Sequence, residues 1–203
     1  MLTIIDFKMG NLGSIFNMFK KVRAKAIITS DKRNIEKAEK IIIPGIGAFD
    51  NAVSLINELN FRDVLNYKAL EERIPILGIC LGMQLLTSGS QEGNLPGFGW
   101  IPAKTIKFNF NAQKNLHIPH MGWNTVTISN ESALLRNISP KPRFYFVHSY
   151  YVKVENERNS ILKTDYGINF DSAVQKDNIF GVQFHPEKSH KYGMKIFENF
   201  ANL

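Results

Sequence analysis

Short, continuously apolar runs alternate with amphipathic segments through the first half of the chain. The runs with the length and composition of buried strands are LTIID (Leu2–Asp6), KAIIT, IIIPG (Ile41–Gly45) and IPILGI (Ile74–Ile79). Helices are predicted from Asn11 to about Lys21, in the polar stretch after KAIIT, and over residues 50–59 and 61–72. Continuous apolar strands separated by helices are typical of a parallel sheet that is covered on both faces.

The second half of the chain has a different pattern. Short β-like segments are predicted at 104–108, 125–128, 143–147, 150–154 and 160–164, with turn sequences such as SPKP and ENERN between them. An apolar strand (Ile179–Phe184) and an amphipathic helix from about Tyr192 to Asn202 follow. We therefore expect a single α/β domain over residues 1–203. It would be an open, mostly parallel twisted sheet with helices on both faces and an antiparallel extension in the second half.

The composition is that of a globular protein. Of the 203 residues, 44% are hydrophobic and 21% are charged, and no apolar run approaches the roughly 20 residues that span a bilayer. Asp6 and Lys8 come too early for the apolar core of a signal peptide. The single cysteine excludes an internal disulfide and any multi-cysteine metal site. We expect a cytoplasmic protein that does not associate with membranes.

The net charge of +7 is concentrated at one end of the chain. Residues 1–40 contain nine Lys and Arg against four Asp and Glu, whereas the remaining residues contain sixteen against fourteen. No nucleic-acid-binding motif accompanies this charge, and aromatic residues are not interleaved with the basic ones. A solvated basic helix face explains the excess, and a docking face for an acidic partner or attraction of phosphorylated metabolites is the alternative.

The only cysteine, Cys80, lies in GICLGMQ (Gly78–Gln84), directly after the fourth predicted strand. A strand that runs into G-x-C-x-G and then a helix is the sulfur counterpart of the nucleophile elbow. The flanking glycines leave room for strand and helix to approach at a strained turn. There the helix dipole would favour a thiolate, and the Leu81 N–H would point at the oxygen of a tetrahedral intermediate. A buried structural cysteine beside a glycine-rich strand end is the competing interpretation.

A thiolate nucleophile needs a base, and His185 is the best placed of the five histidines. In GVQFHPEKS it follows the last predicted strand, with Pro186 fixing the turn and Glu187 two residues further on. Positions i and i+2 share one side of an extended segment, so the carboxylate would orient the imidazole. A surface His-Pro-Glu turn would have the same sequence.

A glycine loop, PGIGAF (Pro44–Phe49), follows the third predicted strand. It does not complete the dinucleotide-binding motif G-x-G-x-x-G, because Asp50 occupies the last glycine position. It would instead bring a second backbone N–H to the oxyanion. The carboxyl ends of parallel strands meet at one edge of an open α/β sheet, where ligands bind. We therefore expect this loop, Cys80 and His185 to lie together at that edge.

These motifs resemble those of the class I (triad-type) glutamine amidotransferases. GICLGMQ is similar to the nucleophile motif of that family, PGIG to its oxyanion loop and FHPE to its His–Glu motif. Within the family, the chain is most similar to the glutaminase subunits of imidazole glycerol phosphate synthases, from histidine biosynthesis. The subfamily features are DFKMGNLGS, GFGWIP (Gly97–Pro102), PHMGWN (Pro119–Asn124), FYFVHSYY (Phe144–Tyr151) and FHPEKS (Phe184–Ser189).

The resemblance implies a role for each motif residue. The catalytic residues would be Cys80, His185 and Glu187, and the oxyanion hole would be formed by Gly45, Gly47 and Leu81. The α-amino and carboxylate groups of glutamine would be bound by Gln84, Glu92, Ser149 and Tyr150. The residues facing a partner would be Asn11, Met121, Trp123 and Lys188.

The implied reaction is hydrolysis of L-glutamine without a metal or an organic cofactor. The ammonia would pass, within a heterodimer, to a (β/α)8-barrel synthase (cyclase) subunit. That subunit would use it to make imidazole glycerol phosphate and an aminoimidazole carboxamide ribotide. Low activity alone and activation by the partner with its bound substrate are expected.

One segment departs from the subfamily pattern. The subfamily reads D-Y-G-x-G-N-L where this chain has Phe7 and Lys8, and Arg is common at the position of Gly13. This leaves open a glutaminase that supplies ammonia to a different synthase, as in amidino- or amino-sugar assembly. A cysteine hydrolase of another specificity and a non-catalytic binding subunit are further alternatives. Instead of facing a partner, Trp123 could be an ordinary core or surface aromatic residue, and Lys188 could be a solvated surface charge.

Overall fold

The parallel half of the sheet forms where the sequence has its continuous apolar runs. The computed structural model describes residues 1–110 and 116–203. The elements of this half are β1 (Leu2–Ile5), α1 (Leu12–Lys21), β2 (Ala26–Thr29), α2 (Lys32–Glu36), β3 (Lys40–Ile43), α3 (Phe49–Glu58), α4 (Arg62–Asn66), β4 (Ile76–Ile79) and α5 (Leu81–Leu85). β1 pairs in parallel with β2 and β3, and β3 pairs in parallel with β4.

The second half extends the sheet with antiparallel strands. Its elements are β5 (Ala103–Lys107), β6 (His120–Thr125), β7 (Thr127–Ile128), β8 (Arg143–His148), β9 (Tyr150–Val154), β10 (Ser160–Asp165), β11 (Asn169–Lys176), β12 (Ile179–Val182) and α6 (His190–Ala201). Within the described residues, the main path of the larger sheet is β2-β1-β3-β4-β12-β11-β10-β7. β12 is parallel to β4 but antiparallel to β11, so it joins the two halves. β9 pairs with β11 and β5, and β6 and β8 form a separate two-stranded sheet.

Alternate residues of the parallel strands pack into cores on opposite faces of the sheet. Ile41 and Ile43 of β3 belong to a core that also contains Val53 of α3. Ile42, between them, belongs to the other core, together with Phe19 of α1 and residues of α6. Strands that are buried on both faces favour apolar residues at successive positions, which accounts for these apolar runs. The predicted α/β class, with a parallel sheet extended by antiparallel strands, is confirmed.

The sequence does not predict β11 or most of β6. β11 lies inside the sheet, yet its sequence NFDSAVQK contains the buried polar residues Asp171 and Ser172. The Asp171 Oδ2 accepts the Val154 N–H at 2.9 Å, and its Oδ1 lies 3.4 Å from the Lys163 ammonium. Buried polar side chains with tertiary partners interrupt the apolar pattern, so periodicity does not detect this strand.

The helix predicted at 61–72 changes its geometry part of the way along. After α4 the chain continues as a π-helix over Tyr67–Glu71. There the side chain of Lys68 is buried, and its ammonium donates to the Glu36 carbonyl at 2.9 Å and pairs with Glu72 at 2.5 Å. No helix in the described parts of the chain is both long enough and apolar enough to cross a membrane.

Candidate active site

Three neighbouring strands of the parallel sheet end at the same edge. The order β3-β4-β12 places the loop at 44–47 beside Cys80, and Cys80 beside the segment that leads to His185. β4 and β12 stay in register to their last residues, with Ile79 opposite Val182. The Cys80 N–H continues the ladder by donating to the Val182 carbonyl at 2.8 Å. Sheet topology therefore brings together the three segments that the sequence predicts to meet.

Cys80 occupies a strained turn between β4 and α5. Its φ of 55° and ψ of −110° lie outside the conformations that side-chain-bearing residues favour. A Cβ added to Gly78 would lie 2.5 Å from the Gly82 carbonyl oxygen, and one added to Gly82 would overlap the Ile43 carbonyl. The turn therefore requires glycine at both flanking positions, which is the physical basis of the G-x-C-x-G pattern.

His185 and Glu187 form a buried hydrogen-bonded pair. His185 Nδ1 lies 2.8 Å from Glu187 Oε1, and each side chain is only 2% exposed. Burial opposes a charge on the imidazole, but the interactions with the Cys80 sulfur and the Glu187 carboxylate outweigh it and raise the pKa of His185 to about 10. His185 Nε2 makes no hydrogen bond within the described residues. That nitrogen is therefore the one that can exchange a proton with the thiol or with a substrate.

The loop after β3 is packed tightly against the start of α5. Gly47 has a φ of +107°, which favours glycine, and a Cβ on Gly45 would lie 2.9 Å from the Cβ of Leu81. The loop therefore lies next to the first turn of α5, against the Leu81 side chain and the Gly82 N. Glu92 reaches the far end of the loop, where its Oε2 accepts the Phe49 N–H at 3.0 Å.

A cavity of about 330 Å³ opens beside the thiol. The predicted site residues that line it are Gly47, Cys80, Leu81, Gln84, Glu92, Ser149, Tyr150 and His185, with Ile46, Pro119, Val147 and His148 completing the wall. Gly45 and Glu187 stand behind this lining, against Leu81 and His185. The volume lies in the range of small-molecule sites.

Sequence reasoning missed Gln183, whose amide is fully buried beside the nucleophile. Its Nε2 donates to Cys80 Sγ at 3.7 Å, and its Oε1 accepts from Gln84 Nε2 at 3.1 Å. The available signal is spacing, because Gln183 precedes His185 by two residues in an extended segment and so faces the same side. Among residues 1–110 and 116–203, no group of three or more His, Cys, Asp or Glu side chains is placed to hold a metal ion.

The four residues predicted to face a partner lie outside the cavity wall. Asn11 is exposed and caps α1 with its side chain. Met121 and Trp123 of β6 are 61% and 39% exposed. The Lys188 ammonium is exposed and lies 5.6 Å from the centre of the Tyr145 ring. Large exposed apolar side chains on one strand are typical of an interaction surface.

Phe7 and Lys8, two of the three residues that depart from the subfamily pattern, have different environments. Phe7 is fully buried and belongs to the core, so it faces neither a partner nor solvent. Lys8 is exposed and has a φ of 66°, a conformation that glycine adopts most easily. The Asp6 carboxylate supports this turn by accepting the Lys8 N–H at 2.9 Å.

Comparison with known proteins places the whole chain in one family. The family described as glutamine amidotransferase class-I matches residues 3–203. The chain is 54% identical over 200 residues to "Imidazole glycerol phosphate synthase subunit HisH 2" of Methanococcus maripaludis, covering 98% of each chain. It is 44% identical over 203 residues to the protein of the same name from Pseudomonas aeruginosa, covering 100% of each.

The fold is also found among solved structures. A crystal structure of a glutamine amidotransferase matches with a TM-score of 0.76 and 15% sequence identity, covering 99% of each chain. At this level of identity the likeness concerns the fold alone.

Proposed function

The chain belongs to the class I glutamine amidotransferase family, and on this premise we propose that it is the glutaminase subunit of an imidazole glycerol phosphate synthase in histidine biosynthesis. Relatives with that subunit's name match at 54% and 44% identity over essentially the full length of the chain. The observation that carries the chemistry is the meeting of Cys80 and the His185–Glu187 pair at a small cavity. This arrangement suits hydrolysis of the side-chain amide of L-glutamine.

In the first half of the proposed reaction, the Cys80 thiolate attacks the γ-carbonyl carbon of glutamine. The negative charge moves to the carbonyl oxygen, where the Leu81 N–H and the loop of Gly45 and Gly47 would accept it. His185 is suited to protonate the leaving nitrogen, because its raised pKa keeps it charged at neutral pH. The C–N bond then breaks, ammonia leaves, and a γ-glutamyl thioester remains on Cys80.

In the second half, water hydrolyses the thioester. His185, which is neutral after giving up its proton, takes a proton from the water as the oxygen attacks the thioester carbon. Collapse of the intermediate breaks the C–S bond, releases glutamate and restores the thiolate–imidazolium pair. Glu187 holds the imidazole in one orientation through both halves, as its 2.8 Å contact with Nδ1 allows.

The amino-acid end of glutamine would be bound by cavity-lining residues other than the triad, namely Gln84, Glu92, Ser149 and Tyr150. Both Nε2 protons of Gln84 are already directed at acceptors, namely the Tyr150 carbonyl and Gln183 Oε1. Its Oε1 is therefore the atom that can accept from the substrate ammonium. Glu92 adds a negative charge for the same group, and Ser149 and the Tyr150 segment offer donors to the carboxylate.

The ammonia would be transferred to a synthase subunit rather than released to solvent, where most of it would be protonated. The proposed docking face contains Asn11, Met121, Trp123 and Lys188, of which Met121 is the most exposed. We propose a heterodimer in the cytoplasm with a (β/α)8-barrel cyclase that accepts a histidine-pathway ribotide. Exposed apolar side chains next to a lysine suit a partner whose rim combines apolar and acidic residues.

The proposal is tested by isolating the partner with the full-length chain from its native source. Glutamine hydrolysis is then measured for the chain alone, with the partner, and with the partner and the ribotide. We expect low hydrolysis alone and a large increase in the full mixture. The matched control is Cys80→Ser, which keeps the shape of the turn but should abolish hydrolysis in every mixture.

Comparable turnover with and without the partner would contradict the proposed activation. A partner that ignores the ribotide but still stimulates glutaminase would favour a second candidate, a glutaminase for a different ammonia-using synthase. The exposed Lys8, at the same sheet edge as the active site and absent from the usual subfamily pattern, favours that candidate.

A further inference from the structure

A hydrogen-bonded pair of buried histidines, His148 of the cavity wall and His120 beside it, is used by no step of the proposed reaction. His120 of β6 and His148 of β8 face each other across the two-stranded sheet, with 2.9 Å between His120 Nδ1 and His148 Nε2. The two residues are 2% and 5% exposed. His148 Nδ1 lies 2.7 Å from the Tyr150 carbonyl oxygen. Polar groups buried this deeply are stable only when each has a partner, and here each of them does.

The Tyr150 carbonyl sets the direction of every hydrogen bond in the pair. A carbonyl oxygen can only accept, so His148 Nδ1 carries a proton, and the Nε2 of the neutral ring accepts from His120 Nδ1. His120 Nε2 in turn accepts from Asn124 Nδ2 at 3.3 Å. The Asn124 amide cannot be reversed, because Nδ2 also donates to a backbone carbonyl at 2.9 Å and Oδ1 accepts a backbone N–H at 2.8 Å.

The same carbonyl orients the two amides beside the nucleophile. It accepts a second hydrogen bond, from Gln84 Nε2 at 3.3 Å, which fixes the orientation of that amide. Gln84 Nε2 also donates to Gln183 Oε1, so Gln183 must present its Nε2 to Cys80 Sγ. A continuous chain of hydrogen bonds therefore runs from Asn124 through both histidines and the Tyr150 carbonyl to the reacting sulfur.

We propose that His148, held in one tautomer by the Tyr150 carbonyl and by the His120 donor, is a positioning residue for the bound glutamine. This inference rests on the proposed glutaminase function and adds a residue to it. His148 holds the Tyr150 carbonyl, and that carbonyl holds the Gln84 amide with its Oε1 available to the substrate ammonium. Without the His148 donor, the carbonyl loses a partner and the Gln84 amide can turn over. Affinity for the amino-acid end of the substrate then falls, while the thiol stays in place.

The histidine pair holds position as a neutral unit and is neither the acid nor the base of the reaction. Burial lowers the pKa of His120 to about 4 and that of His148 to about 3. The titratable groups facing the pair are His185, whose charge further disfavours a proton on His148, and Tyr166, whose ring stacks on His120 at 4.0 Å. A change at His148 should therefore leave the pH profile of hydrolysis unchanged.

Covalent labelling of Cys80 separates this role from a merely structural one. The full-length chain, with its co-purified partner, is treated with the diazoketone analogue of glutamine or with iodoacetamide, which lacks the amino-acid end. For His148→Phe we expect the half-saturating diazoketone concentration to rise about tenfold, as for loss of one buried hydrogen bond. The iodoacetamide rate should stay within about twofold, because this small reagent does not use the Gln84 contact and depends on the amides only through the long Gln183 contact with the sulfur, at 3.7 Å. His148→Asn, whose amide can occupy the place of Nδ1, should recover most of the loss.

Two further variants complete the test. Phe170→Leu is the matched packing control, because the Phe170 ring lies 5.2 Å from His148 and 5.9 Å from His120 but takes no part in the hydrogen bonds. His120→Phe should raise the same half-saturating concentration about threefold, because His148 can then move its proton to Nε2. If His148→Phe does not fold, His120→Phe and His148→Asn provide the comparison.

The outcomes are distinct. An unchanged half-saturating concentration in His148→Phe, or in both substitute variants, would overturn the proposal. So would equal losses with both reagents, a shifted pH profile, or an effect of Phe170→Leu as large as that of His148→Phe. If the unaltered chain shows neither saturation by the diazoketone nor glutamine hydrolysis, the proposed glutaminase function itself is wrong.

Discussion

Gly78 allows a direct test of the turn that holds the nucleophile. In Gly78→Ala, the added Cβ would lie 2.5 Å from the Gly82 carbonyl oxygen, 2.6 Å from its carbonyl carbon and 2.7 Å from Met83 N. All three atoms belong to the backbone of α5, so no side-chain rotation can relieve the overlap. Restoring van der Waals contacts of about 3.4 Å requires the helix to move from the strand by about 0.9 Å.

The cost of that movement falls on both stability and activity. Overpacking typically costs about 1–3 kcal/mol, and a contact with a buried helix backbone belongs at the upper end. We therefore expect Gly78→Ala to lose about 3 kcal/mol of a total stability on the order of 5–15 kcal/mol. The displaced helix also moves the Leu81 N–H relative to Cys80, so kcat/KM for glutamine should fall about 100-fold.

The assay is urea unfolding followed by tryptophan fluorescence, with glutaminase activity measured on the same samples. The matched control is Gly13→Ala, because Gly13 is exposed in α1 and a Cβ there would have no neighbour within 4 Å. That variant should gain about 0.5–1 kcal/mol from its lower backbone entropy in the unfolded chain. If Gly78→Ala stayed within about 0.5 kcal/mol of the natural protein and kept its kcat/KM, the steric explanation of the elbow would be refuted.

Three further predictions concern charge. In the folded chain the pKa values of His120 and His148 are about 4 and about 3, whereas in the unfolded chain both are near 6.5. The unfolded chain therefore binds more protons below pH 6.5, and each histidine should lower the free energy of unfolding by about 1.4 kcal/mol for each pH unit below that value. Urea titrations at about pH 7 and about pH 5 measure this change. When both histidines are replaced by Phe, the free energy of unfolding should depend less on pH, and an unchanged dependence on pH would contradict the buried neutral pair. For the natural protein, kcat/KM should fall as pH rises through about 10, where His185 loses its proton. In Glu187→Gln this fall should occur at lower pH, because the imidazolium loses its carboxylate partner. The same alkaline fall in both proteins would show that Glu187 does not raise the pKa of His185. The Asp50 carboxylate accepts the backbone N–H groups of Asn94 and Leu95 at 2.9 and 3.0 Å. Asp50→Asn should weaken both hydrogen bonds and lower the free energy of unfolding by about 1–2 kcal/mol in the same assay. An unchanged free energy of unfolding would contradict this role of Asp50.

The parallel half of the fold could be predicted from the chain because its constraints are local. A strand such as β4, buried on both faces, is apolar at every position, and α1 and α3 show the spacing of a helix with one buried face. The antiparallel half was harder to predict. In β11 the buried Asp171 depends on the Val154 N–H, a partner far away in the sequence. Such a strand has no local apolar pattern to detect.

The family prediction is confirmed by the match over residues 3–203, while the roles of the site residues stay predictions. Motifs at strand ends were sufficient to identify Cys80 and the His185–Glu187 pair, because parallel topology brings such ends to one edge. Phe7 and Lys8 both depart from the subfamily pattern, but the sequence did not show that Phe7 lies in the core and Lys8 on the surface.

The sequence by itself thus determined the elements of the parallel sheet and the nucleophile turn, because both leave a local pattern of apolar residues and glycines. It also indicated the family, because short motifs along the chain carry that resemblance. The tertiary structure alone decided which amides and histidines surround the thiol. Gln84, Gln183, His148 and His120 come from four separate segments, and the Tyr150 carbonyl links the two amides to the two histidines only in the folded chain. Their proton positions follow from that one acceptor and from burial, and neither can be read along the chain.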